Sequence, residues 1–251
     1  MSRIDSLIII HNIKMYTDIN PIREKLKLVQ PQKSATIKEE FKKILGVCFI
    51  HLALLTEWVS NIFKVTKKKV TIRVYADYRD LNKACPKDNY PIPFIDQIID
   101  DSAGSLTFAF IDGFSGYDQI EILSHDQQKT TFIFPRGTLA HQNLPYDLKN
   151  VGSTFQWTMS YAFHDIKHIV DPYLDDLPAH SNQWEDCITH LNAIFLRCRN
   201  YHIFLNPHKC VFCIKSKRLI GFIVSKYGIR IDPFKVEAII GLPPPTSVHK
   251  L

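Results

Sequence analysis

Two stretches decide how this chain is read: Tyr173-Leu174-Asp175-Asp176, and Phe110-Ile111-Asp112-Gly113-Phe114-Ser115-Gly116-Tyr117. The first sets two acids side by side between residues 166–173 and 177–179, a pattern that predicts a hairpin with the acids at its tip. The second puts Asp112 at the end of a short, aromatic-rich apolar run, residues 106–111, which predicts a buried strand. Acids crowded at strand ends repel one another, and a bound cation is the natural remedy. An isolated Asp-Asp pair is more often a solvated turn, so the surrounding sequence carries the weight.

The elements outward from these stretches alternate irregularly between helix and strand, which predicts an α+β fold. Residues 151–163 read as a helix. So do residues 184–199, where Cys187, Leu191, Ile194, Phe195 and Cys198 recur at three-to-four spacing. Residues 59–65 and 70–76 read as two strands joined by Lys67-Lys68-Lys69. A strand is expected at 130–134, a short helix at 95–101, and two or three short strands through 219–224 and 229–231. Ser34 and Gly46 bracket an amphipathic helix expected over 35–45. Residues 1–34 read as irregular and basic, with Pro21 and Pro31 breaking any helix.

Composition sets the outer bounds. The 251 residues are 45% hydrophobic and 12% aromatic, enough for a substantial core and against disorder. The net charge of +6 suits an anionic partner without demanding one. The longest apolar run near the start, Leu7 to Ile10, is too short for a signal core or a membrane span. With no secretory signal, the six scattered cysteines are expected as reduced thiols. Cys210, Cys213 and His208 look like half a zinc site but lack a second Cys pair at ligand spacing.

The chemistry that fits crowded acids on strand ends is phosphoryl transfer. Joining a nucleotide to a primer is an in-line displacement at phosphorus, and two divalent ions lower its barrier at the attacking and leaving oxygens. Hard ions such as Mg²⁺ take oxygen ligands, so two or three acids on adjacent rigid strands are the minimum requirement.

Six collinear blocks then give the chain a family resemblance. Residues 76–88 read ADYRDLNKACPKD, residues 110–119 FIDGFSGYDQ, residues 148–156 LKNVGSTFQ, residues 173–176 YLDD, residues 205–210 LNPHKC and residues 219–225 LIGFIVS. In this order they resemble the reverse transcriptase of Gypsy-class LTR retrotransposons, plant-type branch, a part of the pol polyprotein. The resemblance implies a right-hand polymerase: fingers mainly over 35–105 and palm mainly over 106–232. A fingers insertion is expected near 120–150, a primer-grip hairpin near 217–231, and the truncated start of a thumb over 233–251. The palm sheet is expected to be antiparallel and backed by helices.

It also implies site residues. Asp112, Asp175 and Asp176 would be the catalytic, metal-binding acids, holding two Mg²⁺ ions, with Mn²⁺ as a substitute. Arg73, with its planar donor fork, and Lys69 would meet the incoming triphosphate. Tyr117 would be the steric gate beneath the sugar, and Gln156 would lie near substrate and template. Tyr173, Arg79, Asn82, Gly221 and Phe222 would touch primer or template. The implied partners are an RNA or DNA template-primer and deoxynucleoside triphosphates, with no membrane. A thumb and RNase H region is expected to be absent here and supplied by a separate or ancestral chain. The implied location is intracellular, in a cytoplasmic retroelement particle or the nucleus.

The chain departs from the family pattern at identifiable points. Pro172 and Pro178 flank the acidic turn, and a proline within a sheet removes a ladder hydrogen bond, so displacement of the acids is expected. Asp147 replaces a glycine before the LKN block, and the fingers hairpin has lost its turn glycine. These departures motivate an alternative: a catalytically inactive, truncated remnant that at most binds nucleic acid.

Overall fold

The structure, a computed structural model, describes residues 3–27, 45–46, 48–66, 72–135, 137–219 and 222–242. The helix expected at 35–45 falls, but for its last residue, outside them, as do Lys67-Lys68-Lys69. In chain order the strands are β1 (Ile50–Leu52), β2 (Ile62–Thr66), β3 (Ile72–Ala76), β4 (Thr107–Asp112), β5 (Phe132–Phe134), β6 (Gly137–His141), β7 (Asp176–Ser181), β8 (Val211–Ile214), β9 (Ser216–Leu219), β10 (Phe222–Ser225) and β11 (Gly228–Ile231). The α-helices are α1 (Arg79–Ala84), α2 (Ile95–Ser102), α3 (Val151–Ala162), α4 (Asp186–Asn200) and α5 (Pro233–Ile240). Every strand pair within the sheets is antiparallel. Among the described residues no helix is long and apolar enough to cross a membrane.

The chain divides into two compact units, the first comprising Met1–Ile92, Gly113–His164 and Arg197–Leu205. Its β2–β3 hairpin pairs Ile62 with Ala76 through Thr66 with Ile72, and its second sheet runs β1-β6-β5. The N-terminal segment is irregular yet anchored. Ile4 and Ile13 are buried, the Ile13 N–H donates to Asp126 at 2.8 Å, and Arg3 pairs with Glu121 at 2.8 Å. Two sequence blocks are stitched together by side-chain amides. Asn82 donates to the Asp147 carbonyl (2.7 Å) and accepts from the Lys149 N–H (2.8 Å). Asn150 accepts from the Asp88 N–H (3.0 Å) and donates to the Pro86 carbonyl (2.9 Å). Asp147 is absent from the positive-φ residues, so the lost glycine leaves no backbone strain. Its carboxyl is raised above the usual range, chiefly by burial.

The second unit comprises Pro93–Asp112, Asp165–Leu196 and Asn206–Leu251. Its central sheet runs β7-β4-β8, with the apolar β4 in the middle. Phe108 and Phe110 pack with Ile98 and Ile99 of α2 and Val224 of β10 to form the core, with Tyr173 and Phe222 against it. The short strands expected through 219–224 and 229–231 are three: β9 and β10 pair antiparallel, Phe222 opposite Leu219, and β11 completes the sheet. The thiol expectation is corrected as well. Cys187 on α4 and Cys213 on β8 form a disulfide, while Cys48, Cys85, Cys198 and Cys210 remain thiols. The pairing across β4 and β8 shifts register between Phe108 and Phe110, and Cys213 takes a left-handed φ of 48° at this bulge.

Candidate active site

The acids of both decisive stretches meet in the second unit. Asp112 ends β4 and lies in register with Asp176, which begins β7. Tyr173 and Asp176 exchange both backbone hydrogen bonds (2.9 and 3.0 Å), closing a two-residue turn over Leu174 and Asp175. Leu174 takes the left-handed conformation, φ 51°, that tight hairpin turns need at their first central position. Because Asp176 directs its N–H and C=O at Tyr173, its pairing with Asp112 is the non-hydrogen-bonded kind, in which facing side chains come closest. Like charges so placed are destabilising.

Asp175 records that crowding. Burial first, then the charges of Asp112 and Asp176, push its carboxyl up to about 6, against a smaller opposing pull from Lys209. Its Oδ1 is buried with no hydrogen-bond partner. A buried acceptor without a donor is costly, and a cation is one remedy. All the donors here are carboxylate oxygens, the set that hard divalent ions prefer, so the residues fit Mg²⁺. As the side chains stand, no group of three or more His, Cys, Asp or Glu among the described residues is gathered tightly enough to hold an ion. The Asp112 carboxylate is instead engaged by Lys209 Nζ, 3.1 Å from each oxygen.

Neither proline displaces the turn, and strand geometry explains why. The Asp171 N–H donates to the Pro178 carbonyl at 3.1 Å, so the backbone nitrogen of Pro178 faces residues 169–173 rather than β4. The β4–β7 register therefore runs unbroken from Thr107–Ser181 to Asp112–Asp176. Pro172, one residue before the Tyr173–Asp176 pair, has its nitrogen directed away from β7. The cost is one ladder bond, from residue 178 to Asp171, and the expectation that the two prolines push the acids aside is corrected.

The remaining predicted residues fall into three groups. Tyr173 and Phe222 belong to the second unit, packed on its core. In the first unit, Tyr117 stacks edge-on to Phe155 (5.2 Å between centroids) and tilts against Tyr146 (5.7 Å). Arg73 sits on β3 opposite Val65. Arg79 grips Asp77 through Nε (2.8 Å) and Nη2 (2.6 Å), and Asn82 is occupied by the 147–149 loop. Gln156 is fully buried on α3, 3.4 Å from Ser160 Oγ, and offers no accessible surface to a substrate. Lys69 and Gly221 lie outside the described residues. Sequence reading missed Lys209 as a neighbour of the acids, although it sits in the LNPHKC block. The turn there is bonded to β4: the Asn206 N–H donates to the Asp112 carbonyl (2.8 Å), and the Asp112 N–H points at Cys210 Sγ (3.4 Å).

Comparison with known proteins agrees with the six blocks. A family model described as reverse transcriptase (RNA-dependent DNA polymerase) matches residues 65–224. The chain belongs to this family. Among curated relatives of this reverse transcriptase chain, the retrovirus-related Pol polyprotein from transposon gypsy of Drosophila melanogaster is 33% identical over 180 residues, 71% of this chain and 17% of the relative. The transposon Tf2-3 polyprotein of Schizosaccharomyces pombe is 30% identical over 189 residues, 74% of this chain and 14% of the relative. The chain thus spans less than a fifth of the length of these relatives. The foamy viral protease-reverse transcriptase dRH in complex with double-stranded DNA superposes with a TM-score of 0.88 at 17% identity, covering 99% of this chain and 43% of that one. The foamy viral complex with an RNA/DNA hybrid gives 0.82 at 16%, covering 94% and 32%. At these identities the likeness establishes fold, and it is the α+β fingers-and-palm fold expected from sequence.

Proposed function

We propose that this reverse transcriptase chain is an RNA-directed DNA polymerase centre that adds deoxynucleotides to a primer 3′-OH by a two-metal mechanism. The observation that carries the reading is the registered pair Asp112 and Asp176, with Asp175 beside them holding a buried, partnerless oxygen. In this reading Asp112, Asp175 and Asp176 hold the two Mg²⁺ ions. Those ions supply charge neutralisation at the attacking and leaving oxygens.

The chain's own residues do the rest. The Tyr173–Asp176 bonds fix the acidic turn, and packing of Tyr173 on the Phe108–Phe110 core holds it to the sheet. Rigid placement of this kind is what in-line transfer needs, since misplacement by about 1 Å costs about a hundredfold. Arg73, with Lys69, receives the triphosphate, the guanidinium supplying paired donors. Tyr117, braced by Phe155, stands beneath the sugar and clashes with a ribose 2′-OH. Arg79, Gly221 and Phe222 lie along primer or template. Asn82 supports that surface indirectly by holding the 147–149 loop. The division into fingers over 35–105 and palm over 106–232, with a primer grip near 217–231, belongs to the same proposal. So do the template-primer and deoxynucleotide partners.

Primer extension on an RNA template with Mg²⁺ tests it. The expected result is extension by the natural sequence and loss of at least about a hundredfold in Asp175→Asn and Asp112→Asn, because each removes a ligand charge. Absence of extension, or extension indifferent to both substitutions, would establish the silent remnant instead.

A further inference from the structure

Lys209 occupies an unusual place for a surface lysine. Its side chain is 65% exposed, yet its ammonium reaches both oxygens of Asp112, whose side chain is only 20% exposed. The contact does not depend on a wandering arm. The Lys209 N–H donates to the Asn206 carbonyl at 3.0 Å, and Asn206 is itself bonded to the Asp112 backbone. Root and target of the side chain are therefore fixed to the same strand end. The charge of Lys209 is also felt at Asp175, where it opposes the repulsion of Asp112 and Asp176.

We infer that Lys209 is a built-in counter-ion: it engages Asp112 in the metal-free protein, must release it when a divalent cation binds, and so lowers the affinity of the site for metal. The inference rests on the metal-binding reading of the three acids. A single positive charge on Asp112 relieves part of the repulsion among the acids, so they can stay together before metal arrives. A divalent ion needs those same carboxylate oxygens. It must displace the ammonium, and it also feels the nearby positive charge. The exposure of Lys209 keeps this competition reversible, because the displaced side chain is taken up by water.

Binding of Mn²⁺ to the full chain, without nucleotide or nucleic acid, tests this by calorimetry or by the loss of the free-ion electron spin resonance signal. Lys209→Met keeps the length and removes the charge. It should bind Mn²⁺ about two- to fivefold more tightly, the upper part of the range expected for relief of a partly exposed ion pair. Lys209→Arg keeps the charge and should stay within about twofold of the natural sequence. The gain from Lys209→Met should shrink in an Asp112→Asn background, where the contact is already gone. Unchanged or weaker Mn²⁺ binding by Lys209→Met, with Asp112→Asn still weakening it, would overturn the role of Lys209 and leave the metal reading standing. Mn²⁺ binding insensitive to both Asp112→Asn and Asp175→Asn would overturn both.

Discussion

Replacing Asp175 by Asn should make the metal-free protein more stable at neutral pH while destroying its proposed chemistry. Burial and two neighbouring acids raise the Asp175 carboxyl from 3.8 to about 6. Between those values the folded chain holds a proton that the unfolded chain has released. Stability therefore falls as pH rises through this window, and the full cost is present above about 6. A shift of about 2 units corresponds to about 3 kcal/mol at about 1.4 kcal/mol per unit. The group is partly open to solvent, and screening reduces this to about 1.5–2 kcal/mol. Asparagine carries no charge and escapes the penalty. In urea denaturation with chelator present, Asp175→Asn should gain about 1.5–2 kcal/mol at about pH 7.5 and almost nothing near about pH 3, below both pKa values. Mn²⁺ should reverse the order, because it stabilises only the chain whose folded state binds it. A gain of equal size at every pH, or one that grows toward acid, would refute the argument that crowding of ionised acids strains this turn.

Two further outcomes follow from the packing of each unit. Asn82→Ala removes both bonds to the 147–149 loop and should lower stability by about 1–3 kcal/mol, since it leaves a carbonyl and an amide without their partner; an unchanged denaturation midpoint would show that the loop holds itself. Reducing the Cys187–Cys213 disulfide, which spans 26 residues, should cost about 3.5 kcal/mol by the loop-entropy relation. A melting temperature indifferent to reductant, and to Cys187→Ser, would contradict it.

The parts of this molecule legible in its sequence are those where local pattern and burial coincide. β4 is apolar at nearly every position because both of its faces are covered, and α4 shows its stripe because one face is buried. The acids could be placed at strand ends from the same pattern. Other features depended on information that a one-dimensional pattern lacks. The sequence through 219–231 suggests two or three short strands, and only the pairing of Phe222 with Leu219 and with Ile231 fixes their number and bounds. The Cys187–Cys213 pair requires a bulge in β8 that no local signal announces. The prolines misled because a strand has two edges: a missing N–H matters only on the side that faces a partner, and sequence does not say which side that is. By contrast, the start of α5 is marked in the sequence itself. Asp232 caps it by accepting from the Phe234 N–H at 3.1 Å, and Pro233 occupies its first turn, a standard start signal.

The stitching by Asn82 and Asn150 has a consequence for how such chains can vary. It joins positions 62 to 67 residues apart through backbone atoms and amide side chains. The span between them can therefore drift in composition while the two ends keep their spacing. A single inserted residue inside either stitched block, however, would move every later amide off its mate at once. Sequence similarity in this part of the chain should thus survive as short, gap-free islands bounded by tolerant stretches, because the fold itself enforces the punctuation.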